Sequence, residues 1–332
     1  MADLTLSYAG ELYFDRNGPI LDGTVKPEGI TLQFEPMHPR ELFRRVAQTT
    51  DLDVAEMSTS TYMNLVSRGD DRYVALPVFL SRNFRHSYIF VSRDSGIHEP
   101  SDLRGKRAGV PEYQMTAALW ERAALQHDYG VLPGEIRWYE GGLNRPGYVE
   151  RNAIAPPPGV SIGRIPEDQT LEGMLAAGEL DALFTATRPA AFRDGSGRVR
   201  RLFPNFVDVE REYYERTGHF PIMHLAVVRG AVYREHRWVV ESLARAFARA
   251  QQIGWERVTD TGTLAVMLPW LPDYLEQGPQ VMGPKDWRFG FRENYATLAA
   301  MCEYHHEQGL SSRRLTPEEL FPPEAHDLRL EA

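Results

Sequence analysis

A repeated alternation of strand and helix patterns constrains the fold more than any other feature of this sequence. Residues 3–9 alternate as a strand, and residues 30–37 predict a second one. Residues 40–48 then follow an amphipathic helical pattern, and residues 53–58 predict a third strand. The same order returns further along, where a short strand precedes a helix that Gly130 closes. This β-α-β order predicts an α/β fold.

The segment TLEGMLAAGELDALFTATRP has the clearest helix start and stop signals in the chain. A helix begins at Thr170, stops at Gly178, and is followed at once by an apolar strand. That strand ends in Thr185, Thr187 and Arg188. Because strand ends of this kind face ligands in open α/β sheets, we predict Thr185 and Arg188 as substrate-binding residues.

Chain length predicts two lobes rather than one. The chain has 332 residues, and a single core stops growing near about 250–300 residues. A groove between the two lobes is where a ligand is expected. The turn-rich stretch DSGIHEPSDLRG is the first candidate for the hinge.

Charge and cysteine content narrow the partners and the compartment. The net charge is -9, and no segment clusters basic residues with aromatic ones, which argues against nucleic acid. Cys302 is the only cysteine, so neither an intramolecular disulfide nor a CxxC motif is available. The amino terminus shows no signal-peptide pattern, and no stretch has the apolar length of a membrane span. We therefore expect a cytoplasmic protein without a membrane partner, with a homo-oligomer left open.

Several stretches together resemble the 4,5-dihydroxyphthalate decarboxylase family. The most specific of them are RNFRHS, GVPEYQMTA and GHFPIMH, and the likeness spans nearly the whole chain. The resemblance implies a two-lobed fold of the type II periplasmic-binding-protein kind, with a mixed sheet flanked by helices in each lobe. Residues 1–95 with 219–332 would form lobe 1 and residues 96–218 lobe 2, with the ligand cleft between them.

The resemblance also implies a carbon-carbon lyase that needs no cofactor. Its substrate would be a small aromatic carboxylate such as 4,5-dihydroxyphthalate, and its product 3,4-dihydroxybenzoate. Such a reaction requires a base that ionises the hydroxyl para to the departing carboxylate, and an acid that protonates the ring. The second carboxylate is best held by arginine or by free N–H groups at a helix start.

The motif SRNFRHS brings cations and a titratable ring to the start of a predicted strand. Arg82 and Arg85 are candidate carboxylate clamps, and His86 is the first acid/base candidate. Strand alternation would point only one of Arg85 and His86 inward. The other would then be solvated or paired structurally.

The motif VPEYQMTAALW lies between a predicted strand end and a helix start. Glu112, Tyr113, Gln114, Met115 and Thr116 are therefore candidates for binding an anion. Ordinary helix capping by Gln114 or Thr116 is the alternative. Glu112 is a candidate base, although a surface ion pair would explain it equally well.

Two further motifs complete the predicted site. Ser60 and Thr61 in STSTY open another helix and are candidate ligand contacts, with simple capping as the alternative. His219 and His224 in GHFPIMH are candidate proton-transfer groups, or else hydrogen-bonded structural histidines. Their spacing of five suits neither a helical nor a same-face strand pair, so no metal site is predicted.

Two other functions remain open at this point. One is a binding protein for a small aromatic or dicarboxylic anion that performs no chemistry. The other is a different cytosolic enzyme on the same fold, because fold alone does not select chemistry. The sequence has no GxGxxG, P-loop or GxSxG motif, which argues against nucleotide-dependent and serine-hydrolase functions.

Overall fold

The computed structural model describes residues 3–147, 155–283 and 287–330. Two compact units divide the chain: unit 1 comprises Met1–Arg82, Ile222–Ala299 and Leu315–Ala332, and unit 2 comprises Asn83–Pro221 and Ala300–Arg314. The strands are β1 (Leu4–Gly10), β2 (Ile30–Pro36), β3 (Val54–Ser58), β4 (Tyr73–Ala75), β5 (Ser81–Arg82), β6 (Ile89–Ser92), β7 (Arg107–Val110), β8 (Arg137–Glu140), β9 (Ser161–Arg164), β10 (Ala182–Phe184), β11 (Val199–Arg201) and β12 (Ile222–Arg229).

Helices separate most of these strands. They are α1 (Gly18–Leu21), α2 (Pro39–Gln48), α3 (Thr59–Ser67), α4 (Thr116–Tyr129), α5 (Leu171–Ala177), α6 (Ala190–Arg193), α7 (Phe206–Thr217), α8 (Gly230–Glu235), α9 (Val239–Thr259), α10 (Leu271–Met282), α11 (Tyr295–Glu307) and α12 (Pro323–His326). Within the part of the chain that the structure describes, none of these helices is long and apolar enough to cross a membrane.

Unit 1 is built on a mixed sheet. Its strands run in the order β2-β1-β3-β12-β4, and β5 also pairs with β12. Strands β1, β2 and β3 are parallel, whereas β12 is antiparallel to β3, β4 and β5. Every residue of β3 is buried, including Glu56. The last strand of this sheet in the sequence, β12, therefore lies in its interior rather than at an edge.

Unit 2 contains a second mixed sheet with the order β11-β6-β10-β7-β8-β9. Strands β7, β8, β9 and β10 run parallel, and β6 pairs antiparallel with β10 and β11. Buried apolar residues on β6, β10 and α5 form its core, with Phe90, Leu171, Leu175 and Leu183 at the centre. Burial of this apolar surface is the main stabilising contribution to such a layer.

Helix α5 shows how local sequence defines an element. The Thr170 hydroxyl accepts a hydrogen bond from the Gly173 N–H, and Gly178 ends the helix in the left-handed conformation at φ 75°. The helix lies so close to β7 that a Cβ at Gly109 would come within 3.0 Å of Leu171. The predicted helix–strand segment is confirmed, with β10 following directly.

Two strand predictions need correction. The apolar run YVALPVF over residues 73–79 favours one strand, but β4 ends at Ala75 because Pro77 has no N–H for a sheet ladder. Residues 85–92 were expected to form another, but His86–Tyr88 forms one turn of 3-10 helix before β6 begins. The Tyr88 N–H closes this turn on the Arg85 carbonyl, so strand alternation does not apply to Arg85 and His86.

Candidate active site

The carboxyl ends of β1 and β3 and the amino end of β12 meet at one edge of the unit 1 sheet. Glu56 is opposite Ala226, and His224 is opposite Ser58. Glu56 and His224 are therefore diagonal cross-strand neighbours on one face of the sheet, a position from which side chains can touch.

Glu56 is a fully buried carboxylate that makes hydrogen bonds with three groups. Its Oε1 accepts from the Tyr13 hydroxyl at 2.8 Å and lies 2.6 Å from His224 Nδ1. Its Oε2 accepts from the Glu11 N–H at 3.2 Å. Burial and the nearby Glu56 charge raise the pKa of the Tyr13 hydroxyl well above its ordinary value. Tyr13 therefore remains a hydrogen-bond donor to Glu56 at any physiological pH.

The loop that carries Tyr13 is held by its own hydrogen bonds. The Tyr13 N–H donates to Asn17 Oδ1 at 2.8 Å, and the Asn17 amide donates to the Glu11 carbonyl at 2.8 Å. The Arg16 guanidinium lies 4.0 Å from the centre of the Tyr13 ring. These contacts fix the loop over the buried carboxylate.

His224 differs from Glu56 in that part of it reaches solvent. Its side chain is 20% exposed, whereas that of Glu56 is 0% exposed. The imidazole and the Phe43 ring pack nearly perpendicular to each other, with an interplanar angle of 83° and a centroid distance of 4.7 Å. Among the described residues, no hydrogen bond or ion pair engages Nε2, so this nitrogen is available for a proton-transfer partner.

The other predicted site residues of unit 1 are more deeply buried than His224. The Arg82 guanidinium donates to the Asn294 side chain and, at 3.0 Å, to the Arg288 carbonyl. Ser60 and Thr61 lie in the first turn of α3, where both are buried. The predicted hydroxyl-bearing helix start thus follows β3 directly, three residues after Glu56.

In unit 2, the predicted anion-binding motif lies at the start of α4. Glu112, Gln114 and Thr116 are buried, and Met115 occupies the N-cap position without a side-chain capping bond. The Tyr113 N–H donates to the Glu140 carboxylate at 2.6 Å. The α4 start is therefore not capped by the side chain of its own N-cap residue, and the anion-binding role of this turn stays a prediction.

Behind this turn lies a group of fully buried charges that sequence reasoning did not predict. Burial raises the pKa of the Glu121 carboxyl well above its ordinary value, although Arg85 and Arg122 oppose the shift. The Arg122 guanidinium lies 3.7 Å from the centre of the Tyr113 ring and donates to Gln308 Oε1 at 2.8 Å. Burial lowers the pKa of Arg85. These interactions connect the α4 start to the interior of unit 2.

His86 is enclosed by aromatic rings. Its ring lies 5.3 Å from Phe203 and 5.2 Å from Tyr213, and the residue is only 3% exposed. Burial, with a smaller contribution from Arg216, lowers its pKa to about 4. Neither ring nitrogen has a hydrogen-bond partner within the described chain. His86 is therefore neutral at physiological pH.

The remaining predicted residues lie elsewhere in unit 2. His219 precedes β12. Its burial, with a smaller contribution from the charge of Arg216, lowers its pKa. Thr185 is fully buried just after β10, and its hydroxyl accepts from the Thr187 N–H at 3.2 Å. Arg188 is exposed to solvent. Across residues 3–147, 155–283 and 287–330, no three His, Cys, Asp or Glu side chains are grouped closely enough to hold a metal ion.

Sequence reasoning missed Glu56 and Tyr13. Glu56 stands inside the apolar strand DVAEMS, and a carboxylate at such a position needs partners if it is buried. That signal was present in the sequence. The partners of Glu56 were not visible there, because His224 lies 168 positions away and Tyr13 lies 43 positions away.

Solved structures with a similar backbone fold identify the fold class of this chain. The aliphatic sulphonate-binding protein SsuA of Escherichia coli matches at a TM-score of 0.54 and 10% identity, covering 98% of this chain and 99% of that one. Desulfurization enzyme DSZB matches at a TM-score of 0.51 and 16% identity, covering 98% of both chains. A family model for the periplasmic phosphonate-binding proteins of ABC transporters matches residues 21–144. The chain has the fold of the periplasmic binding proteins, as predicted.

Relatives found by sequence identify the family more specifically than the fold does. A 4,5-dihydroxyphthalate decarboxylase of Comamonas testosteroni is 40% identical over 323 residues, covering 97% of this chain and 98% of the relative. A protein of the same name from Pseudomonas putida is 38% identical over 214 residues, covering 64% of this chain and 83% of the relative. The chain belongs to the 4,5-dihydroxyphthalate decarboxylase family. The resemblance seen in the sequence motifs is confirmed.

Proposed function

We propose that this protein is a carboxy-lyase that converts 4,5-dihydroxyphthalate to 3,4-dihydroxybenzoate and CO2. The observation that carries the proposal is the 40% identity with a decarboxylase of that name over nearly the full length of both chains. The fold alone would not decide this, because it also occurs in proteins named for sulphonate binding.

The proposed chemistry uses electrons that the substrate ring already holds. Loss of the proton from the hydroxyl para to one carboxylate gives a phenolate, which raises electron density at the carbon bearing that carboxylate. A proton then bonds to this carbon. The carbon-carboxylate bond breaks, its electron pair restores the aromatic ring, and CO2 leaves. Cofactor independence is part of the proposal, since the ring itself supplies and recovers the electrons.

Proton transfer and carboxylate binding call for different residues. Of the predicted acid/base groups, His224 has an accessible ring nitrogen, whereas His86 is enclosed by Phe203 and Tyr213. The helix starts of α3, with Ser60 and Thr61, and of α4, with Gln114 and Thr116, stay the predicted carboxylate anchors. A helix start contributes about 0.3–1 kcal/mol at an exposed site and up to ~2 kcal/mol at a partly buried one, enough to orient a carboxylate but not to drive catalysis.

The first test measures turnover. Purified protein is treated with a chelator and incubated with 4,5-dihydroxyphthalate, while released CO2 and the aromatic product are quantified. We expect equal amounts of CO2 and 3,4-dihydroxybenzoate, and none from phthalate, which has no hydroxyl to ionise. Saturable binding of the substrate without CO2 release would instead identify a binding protein. Turnover of a different hydroxylated acid only would identify another enzyme on this fold.

The cytoplasm is the proposed compartment. A single cysteine, Cys302, which is buried, fits a reducing environment. Cell fractionation with a periplasmic marker tests the location. A homo-oligomer remains a prediction for analytical ultracentrifugation.

A further inference from the structure

Glu56 and His224 form an arrangement that a purely structural ion pair does not require. The carboxylate is completely buried, accepts from the Tyr13 hydroxyl and the Glu11 N–H, and lies 2.6 Å from His224 Nδ1. Because these contacts engage both of its oxygens, the carboxylate is held in one orientation. The histidine hydrogen-bonded to it is the only member of this network with an accessible nitrogen lacking a partner among the described residues.

The hydrogen bonds of Glu56 favour one tautomer of His224. Both carboxylate oxygens already accept hydrogen bonds, from Tyr13 and from the Glu11 N–H, so Glu56 fits the role of acceptor toward Nδ1, 2.6 Å away. With the proton on Nδ1 of the neutral ring, Nε2 carries the lone pair. The Phe43 ring, with its centroid 4.7 Å from that of the imidazole, restricts rotation of the imidazole.

We propose that His224 is the base that ionises the substrate hydroxyl, and that Glu56 is a positioning residue that holds His224 in the Nδ1–H tautomer. The proposal rests on the proposed function, to which it adds residue roles. Tyr13 supports Glu56 by donating to the same oxygen that faces His224. Neither Glu56 nor Tyr13 touches the substrate in this scheme.

In the proposed proton transfer, the substrate hydroxyl gives its proton directly to His224. The O–H bond of the para hydroxyl breaks, an Nε2–H bond forms, and the electron pair stays on the oxygen as phenolate. The resulting imidazolium keeps its Nδ1–H hydrogen bond to Glu56, whose negative charge stabilises it. The ring carbon later receives its proton from a separate acid or from water, and the phenolate recovers a proton from His224.

The first experiment compares Glu56→Gln with the wild type. A glutamine keeps the size of the side chain but can donate its amide to Nδ1, which favours the opposite tautomer. We expect kcat to fall by at least about tenfold while KM changes little. The exposed Glu276→Gln variant in the same unit is the matched control and is expected to keep wild-type kcat. A Glu56→Gln variant with wild-type kcat would overturn the proposal.

Chemical rescue separates a base from a structural histidine. We expect His224→Ala to lower kcat by about 100- to 10,000-fold. Added imidazole is expected to restore part of the rate, more so with more basic substituted imidazoles. Rescue should weaken in the double variant His224→Ala, Glu56→Gln, because the added base loses its orienting partner. Absence of rescue, or rescue independent of basicity, would contradict the assignment of His224.

A spectroscopic measurement needs no turnover. Nitrogen-15 NMR of the wild type at neutral pH is expected to show His224 as the Nδ1–H tautomer, and Glu56→Gln to shift it toward Nε2–H. An Nε2–H tautomer in the wild type would contradict the role of Glu56. A wild type that releases no CO2 defeats the proposed function, whereas turnover that survives Glu56→Gln defeats only this inference.

Discussion

Two histidines show how surroundings decide the chemistry of one side-chain type. His224 is partly exposed and hydrogen-bonded to a buried carboxylate, so it has an orienting partner and an Nε2 atom that none of the described residues engages. His86 is buried between aromatic rings with no such partner in the described chain, and its pKa is lowered to about 4. The sequence alone ranked His86 first, because the motif RNFRHS shows its residues but not what surrounds them.

The lowered pKa of His86 predicts a pH dependence of stability. An unfolded histidine titrates near about 6.5, so between that pH and about 4 the folded protein binds fewer protons than the unfolded chain. Stability should therefore fall as the pH drops through this window, with a contribution of roughly 3 kcal/mol from this residue. Urea unfolding of the wild type and His86→Phe from pH 7 to 4 measures it.

The expected result is a shallower pH slope for His86→Phe. The variant Phe203→Leu disturbs the same aromatic group without removing a titratable side chain, and it should keep the wild-type slope. Parallel curves for the wild type and His86→Phe would show that His86 is protonated in the folded state as readily as in the unfolded state.

The helices and strands whose ends are marked by capping or turn residues were the predictable ones. Thr170 and Gly178 bracket α5, and Gly130 ends α4 in the left-handed conformation, as the sequence indicates. Helix α7 was not predicted, and Tyr213 is its only buried residue, so it has almost no apolar stripe to recognise. Strand β11 has three residues, two of them arginine, and depends on its pairing with β6.

The cap of α5 provides a test at this scale. Replacing Thr170 by Ala removes the acceptor of the Gly173 N–H, and we expect a loss of about 1 kcal/mol of unfolding free energy. Thr170→Ser keeps the acceptor and should remain close to the wild type. Chemical denaturation, together with amide exchange in α5, measures the effect. Equal losses in both variants would mean that the methyl group matters and the cap does not.

Across the whole molecule, the candidate site depends on contacts between distant parts of the sequence. Strand β12 completes the unit 1 sheet by pairing with β3 and β4, two strands that lie far earlier in the chain. Local patterns predicted β1, β2 and β3, and the family resemblance supplied the fold. Neither indicated that Glu56 and His224 would be diagonal neighbours, because strand order and register are properties of the assembled sheet.

This dependence predicts the behaviour of a truncated chain. A fragment of residues 1–221 lacks β12, so β3 loses its antiparallel partner and the buried residues Leu225 and Val227. We expect the amides of Val54–Ser58 to be protected from exchange in the full chain and unprotected in the fragment. Hydrogen-exchange mass spectrometry measures both. Equal protection would show that β1, β2 and β3 form a stable sheet by themselves.

The pairing of β5 with β12 also bears on how such a chain can change over generations. The chain leaves unit 1 after Arg82 and returns at Ile222, and these two residues face each other across that pair. Insertions are best tolerated where their two ends lie side by side, because the host then keeps its own geometry. Mutation can therefore lengthen, shorten or replace the intervening segment while the strand register that places His224 beside Glu56 is inherited unchanged.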